Sequence, residues 1–132
     1  MSLFRQLKLN FCNIDQPVTR TSIGPTSIAT GPVAYYRFHG RNREAWFKKN
    51  AGRDDRYNYL YSDRELAPWV EQVRTMQGQV SELYLMMNNH FQGQAPANAL
   101  EILAALSNKP VAIPPPLVDA FPRLAKIQAL QA

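Results

Sequence analysis

The stretch VAYYRFHGRN, residues 33–42, decides the fold. Its first part, Val33 to Phe38, is apolar and aromatic except for Arg37, and it turns abruptly polar at His39, Gly40, Arg41 and Asn42. A short continuous apolar run bounded by turn residues is the pattern of a strand covered on both faces, as in a parallel sheet. Two other runs repeat it. Leu9 to Ile14 leads into Asp15 and Gln16, with Asn13 just before them. Leu83 to Met87 leads into Asn88, Asn89, His90, Gln92, Gly93 and Gln94.

The segments between these runs supply the helices. Ser62 with Glu65 forms a capping box, after which Leu66, Trp69, Val70, Val73 and Met76 share one helical face and Gly78 ends the pattern. After the third run, Pro96 suits a first helical turn, and Ala99, Ile102, Leu103 and Leu106 form a second apolar stripe. The order strand, helix, strand, helix predicts an α/β fold with right-handed crossovers and helices packed outside a parallel sheet. A barrel and a doubly wound sheet both satisfy it. The first crossover differs, because Gln16 to Pro32 holds Pro17, Pro25 and Pro32 without a helical pattern and is expected to be a long loop.

Residues 1–132 read as a single domain, with 109–132 as a proline-rich tail and short terminal helix. Lys109 to Pro116 is expected to be neither helix nor central strand. Leu117, Phe121, Leu124 and Ile127 then suggest a terminal helix broken early by Pro122. Three parallel strands leave two edges of unpaired backbone groups, so a second copy or a missing N-terminal half is expected to close the sheet. Leu3 to Lys8 has the look of a helix end.

With 132 residues, 45% of them hydrophobic, the chain has material for one real core. Cys12 is the only cysteine and has no intramolecular partner. No run approaches the roughly 18 apolar residues of a membrane span, and the first residues lack a signal peptide's apolar core, so no membrane association and a cytoplasmic location are expected. The net charge of +5 favours anionic partners. Its densest patch, Arg37 to Arg56, reads either as a solvated loop or as a surface for a polyanion.

In parallel α/β folds, functional groups gather beyond the carboxyl ends of the strands, where loops face a common mouth. The catalytic candidates are therefore Asp15, Arg37 and His39. Arg37 is costly to bury without a partner, and Asp15 on the next strand is an available one. His39 has the side chain for general acid or base work near neutral pH. Gln16, Arg41, Asn42, Asn88, Asn89, His90 and Gln94 are the substrate-binding candidates. Alternation along an extended chain puts Asn13 with Asp15, and Arg37 with His39, so both pairs are expected to point into one lumen. Tyr57, Tyr59 and Tyr61 either stack on a ring-bearing ligand or pack in the core, while Trp46 and Trp69 read as packing residues. Asp15, His39 and His90 lack a metal-ligand spacing motif, so no metal is assigned. No glycine-rich phosphate loop, nucleophile elbow or CxxC is present, and the cofactor is left open.

Four segments in register carry a resemblance: NIDQP (13–17), YYRFHGRN (35–42), YNYLYSDREL followed by PW (57–69), and MNNHFQGQAPANAL (87–100). They resemble the YecE-like family of domains of unknown function, DUF72, over about Leu7 to Leu124. The resemblance implies a TIM-type (β/α) barrel of nearly twice this length, of which this chain would hold the last three parallel strands with their helices. It also implies a mouth-lining cluster of Arg37, His39, Arg41, Asn88, Asn89 and His90, joined by Asp15 and Gln16. It implies no reaction. The leading functional reading is an enzyme, for example a hydrolase, acting on a phosphate-bearing or sugar-like ligand. A nucleic-acid-associated binding module and an inactive truncated fragment are the alternatives.

Overall fold

The computed structural model describes residues 1–129 of the chain. A short helix α1 (Ser2–Gln6) precedes β1 (Cys12–Asp15), and a long loop leads to β2 (Val33–Phe38). Two single-turn helices, α2 (Arg43–Trp46) and α3 (Arg53–Tyr57), then precede the main helix α4 (Asp63–Gln77) and β3 (Glu82–Met87). A 3-10 turn (Phe91–Gly93) opens into α5 (Gln94–Ser107), followed by α6 (Pro115–Ala120) and a second 3-10 segment (Pro122–Ile127). The sheet is three-stranded and parallel in the order β1-β2-β3, the α/β arrangement expected from the sequence.

The first strand starts later than its apolar run. Lys8 adopts φ 54° and the Leu9 N–H bonds back to the Phe4 carbonyl, which closes α1. Thr30 then caps the next groups: its hydroxyl accepts from the Phe11 N–H at 2.9 Å and donates to the Leu9 carbonyl at 2.6 Å. Only from Cys12 is the backbone free to pair with β2. The loop from 16 to 32 is held by Asn13, which is fully buried. Asn13 donates to the Ile28 and Tyr35 carbonyls, and its Oδ1 accepts from the Ile28 N–H and the Thr26 hydroxyl.

Register divides the strand residues between two faces. Asn13 lies opposite Tyr36 and Asp15 opposite Phe38, all on the helix-covered face with Leu85 and Met87 beside them. There Tyr36, Phe38 and Tyr61 pack edge-to-face around Trp69 and one another, with ring centroids 5.1–6.1 Å apart. Leu66, Val70, Met76 and Ile102 complete this core from α4 and α5. Burying each such side chain contributes about 1.5–3 kcal/mol.

The opposite face carries Cys12, Ile14, Tyr35, Arg37, Tyr84 and Met86. It is open: Tyr84 is 47% and Met86 45% exposed. The expectation that all three strands are covered on both faces is therefore corrected, since the helices of this chain reach only one. The expectation of a common lumen for Asn13, Asp15, Arg37 and His39 falls with it, because parallel register places Ile14, not Asp15, beside Arg37.

The helices start as the sequence predicts. Ser62 caps α4, with its side chain and that of Glu65 bonded reciprocally, and Leu66, Trp69, Val70, Val73 and Met76 are its buried residues. The stripe on α5 is only partly used. Ile102 is buried, but Leu103 is 52% exposed, because this side overhangs the free edge of β3, and Ala95, Ala97, Asn98 and Ala104 make up the rest of the buried side. The proline-rich tail also differs from expectation. Pro115 and Pro116 begin α6, where the first turn needs no N–H from them. Leu124 and Ile113 then dock on Ala97 in a second small core. Positions 130–132 of the tail lie outside the described residues.

Candidate functional site

Two polar groups meet at the carboxyl ends of the strands, one beneath the other. The lower centres on Asp15, which is 1% exposed. Arg41 approaches it with Nε at 3.0 Å from Oδ2 and Nη2 at 3.0 Å from Oδ1, a two-pronged charge-assisted contact. The Tyr61 hydroxyl donates to Asp15 Oδ2 at 2.6 Å and accepts the Gly40 N–H at 2.9 Å. Burial, then the Asp15 charge, pushes the Tyr61 phenol far above its usual range, so it remains a donor. Glu65 extends the network, 3.7 Å from Arg41 Nη1 and bonded by the Tyr59 hydroxyl and by Ser62. Burial and the bond to Glu65 hold the Tyr59 phenol up to about 12.

This network fixes the turn that carries His39. The His39 N–H bonds the Asp15 carbonyl at 2.8 Å. Gly40 follows at φ +86°, where a Cβ would sit 2.6 Å from the Tyr59 Cβ, so only glycine fits.

The upper group lies on the open face. Arg37 donates from Nε to Asn88 Oδ1 at 3.1 Å, so its partner is this amide and not Asp15, which faces the other way. The His39 ring stands 5.9 Å from Trp46 and 5.6 Å from Tyr57, and Tyr57 in turn lies 5.3 Å from the His90 ring. His90 is tied down through Nδ1 to the Asn88 carbonyl at 3.0 Å and through Nε2 to Asp54 at 3.3 Å. His39 Nδ1 is buried with no hydrogen-bond partner among the described residues. Burial, and secondarily the Arg37 charge, lowers the imidazole pKa below 6.5 against the opposing pull of Asp15, which favours the neutral ring.

The third set is internal. Asn89 and Asn98 are fully buried. Asn89 Nδ2 donates to the Tyr59 carbonyl and to Asn98 Oδ1, both at 2.8 Å. Asn98 clasps both backbone groups of Tyr61, and Arg123 bridges the Tyr61 carbonyl to Glu101. These bonds position the segment before α4. Among the described residues no three His, Cys, Asp or Glu side chains gather as a metal cluster, and no helix is long and apolar enough to cross a membrane.

Residues 1–121 match the family described as a protein of unknown function, DUF72. The chain belongs to the DUF72 family. It is 33% identical over 88 residues to the UPF0759 protein YunF of Bacillus subtilis, a match covering 64% of this chain and 31% of YunF. It superposes on a DUF72 family protein from Thermotoga maritima with a TM-score of 0.73 and 34% identity, covering 80% of this chain and 40% of that one. A DUF72 family protein from Enterococcus faecalis gives 0.71 at 28% identity, with 84% and 40% covered. The chain thus spans well under half the length of these relatives.

Within this DUF72 chain, the residues predicted from the sequence fall into distinct places. Arg37, His39, Asn88 and His90 come together on the open face, whereas Asp15 and Arg41 lie in the ion pair beneath and Asn89 in the amide cluster. Asn42 caps α2 and bonds the Asp55 and Asn58 carbonyls, and Gln94 donates to Asn58. Gln16 follows β1, its side chain without a hydrogen bond among the described residues. Trp46, read as a packing residue, and Asp54, not singled out at all, join the open-face group. Their signal in the sequence was position: both fall in the basic, aromatic stretch directly after His39.

Proposed function

We propose that this chain supplies the last three strands of a (β/α) barrel, and that its open-face cluster is part of a site for a phosphate-bearing or sugar-like ligand. One observation carries the reading: His39 ends a parallel strand with Nδ1 unpartnered, between aromatic walls and beside a cationic strand residue. Parallel α/β folds place their reactive groups there, because the loops are held by a rigid sheet. The open sheet face and the superposition on chains about twice as long support the barrel.

In this reading Arg37 anchors the anion through the Nη groups that Asn88 leaves free. Trp46 and Tyr57, set edge-to-face with ring centroids 5.6 Å apart, supply an apolar corner for a sugar ring and cover Nδ1 of the imidazole. His39, held neutral, accepts a proton from a bound hydroxyl or water and returns it to a leaving group. Asn88 and His90 orient the ligand, with Gln16 available from the neighbouring strand. Asp15 and Arg41 act by holding the His39–Gly40 turn. The remaining strands of the full-length protein contribute the rest of the mouth.

The test is a panel of phosphomonoester and glycoside substrates with the full-length protein and its His39→Ala and His39→Gln variants. A turnover drop of about 100-fold or more is expected for both. Turnover unchanged by either substitution refutes the role of His39.

A further inference from the structure

A groove of about 630 Å³ lies between α4, α5 and the C-terminal 3-10 segment, and none of its lining residues belongs to the strand-end cluster. Its volume falls in the range of small-molecule sites, about 300–1,000 Å³. The apolar lining comes from Leu66, Ala67, Val70, Ala104, Pro110 and Ile127.

The charges around it do not cancel. Arg74 is paired with Glu71 at 2.7 Å and Arg123 with Glu101 at 2.7 Å. That leaves Lys109, Lys126 and Asp63 among the charged lining residues, none in an ion pair among the described residues. Both lysines line the groove, and their segments are joined by the Val111 N–H bond to the Ile127 carbonyl at 2.8 Å. Arg74, from the far part of α4, reaches Asn108 beside them. Asp63 sits at the other end of that helix, about 16 Å from Arg74 along its axis. The groove therefore has an apolar middle, a cationic end, and at the opposite end the unpaired Asp63 carboxylate, close enough to the Glu101–Arg123 pair for its charge to act on Glu101.

We infer that this groove binds a small amphipathic anion of the alkyl carboxylate class, its chain on the apolar lining and its carboxylate between Lys109 and Lys126. Asp63 at the other end selects the orientation, since it repels a carboxylate placed there. A sugar phosphate has no use for the apolar lining.

The inference is tested by calorimetric titration of the full chain with decanoate, below its micelle threshold and at low ionic strength. Decanol and decyltrimethylammonium serve as uncharged and cationic counterparts. Saturable binding of decanoate, at least about tenfold tighter than either counterpart, is expected. The Lys109→Glu/Lys126→Glu pair should weaken decanoate by about tenfold or more while leaving decanol unchanged. Ala67→Trp, an exposed helix position, should obstruct the apolar part of the groove and weaken decanoate and decanol alike by about tenfold or more without changing the circular dichroism. Absence of saturable binding, equal affinity for decanol, or affinity that survives both sets of substitutions overturns the inference.

Discussion

His39 and Asp15 are joined by a backbone hydrogen bond, yet their side chains serve opposite faces of the sheet. The burial that lowers the His39 pKa predicts an NMR titration midpoint below 6.5, moving up in Arg37→Gln and further down in Asp15→Asn. The linked stability has a definite sign. The unfolded chain takes up the proton first, so the contribution of His39 is complete above about pH 6.5 and is lost as pH falls from there through the folded value. A denaturation midpoint that rises on acidification across this window in the native chain, but not in His39→Gln, refutes the assignment. Tyr61→Phe keeps the ring in the core but removes the hydroxyl shared by Asp15 and the Gly40 N–H. It should cost about 1–3 kcal/mol in urea unfolding.

At the scale of elements, the segment from Gly40 to Ser62 is a chain of local locks, each holding one end of a helix or turn. Ser62→Ala removes half of the capping box of α4 and should lower stability by about 1 kcal/mol. Glu65→Ala should cost more, because Glu65 also accepts from Tyr59 and faces Arg41. Glu65 is held below its usual pKa: burial alone would raise it, but the bonds from Tyr59 and Ser62 win. Its stabilisation is thus present above about pH 4.5 and fades as pH falls through the lowered value. Equal losses for Ser62→Ala and Glu65→Ala would show that the capping box alone matters. Asn13 does comparable work for the 16–32 loop, replacing a crossover helix by three hydrogen bonds to the loop and a fourth to Tyr35 of β2, all from one side chain.

For the whole molecule, the dominant fact is a sheet with one covered face. Tyr84 and Met86 leave apolar surface bare beside the unpaired edge of β3, and Leu83, Leu85 and Met87 line a shallow groove against α5 at the same edge. Surfaces of this kind associate unless something covers them. The isolated chain is expected to self-associate in size-exclusion chromatography, and Tyr84→Lys/Met86→Lys to shift it toward monomer without loss of secondary structure. A monodisperse monomer for the unmodified chain would sink this expectation and weaken the proposed barrel.

The amino-acid sequence by itself determined the three strands, the capped α4 helix, the looped first crossover and the polar strand ends. Each of these is a local matter of apolar run length, helical spacing, a cap or a proline. Its motifs also carried the family. Which side of the sheet each polar residue serves was decided only by tertiary structure, because period-two alternation relates residues within a strand but leaves the register between strands open. That register gave Asp15 to Arg41 instead of Arg37 and set Asn89 in the interior, while the packing of the short helices α2 and α3 folded Trp46 and Tyr57 back against His39.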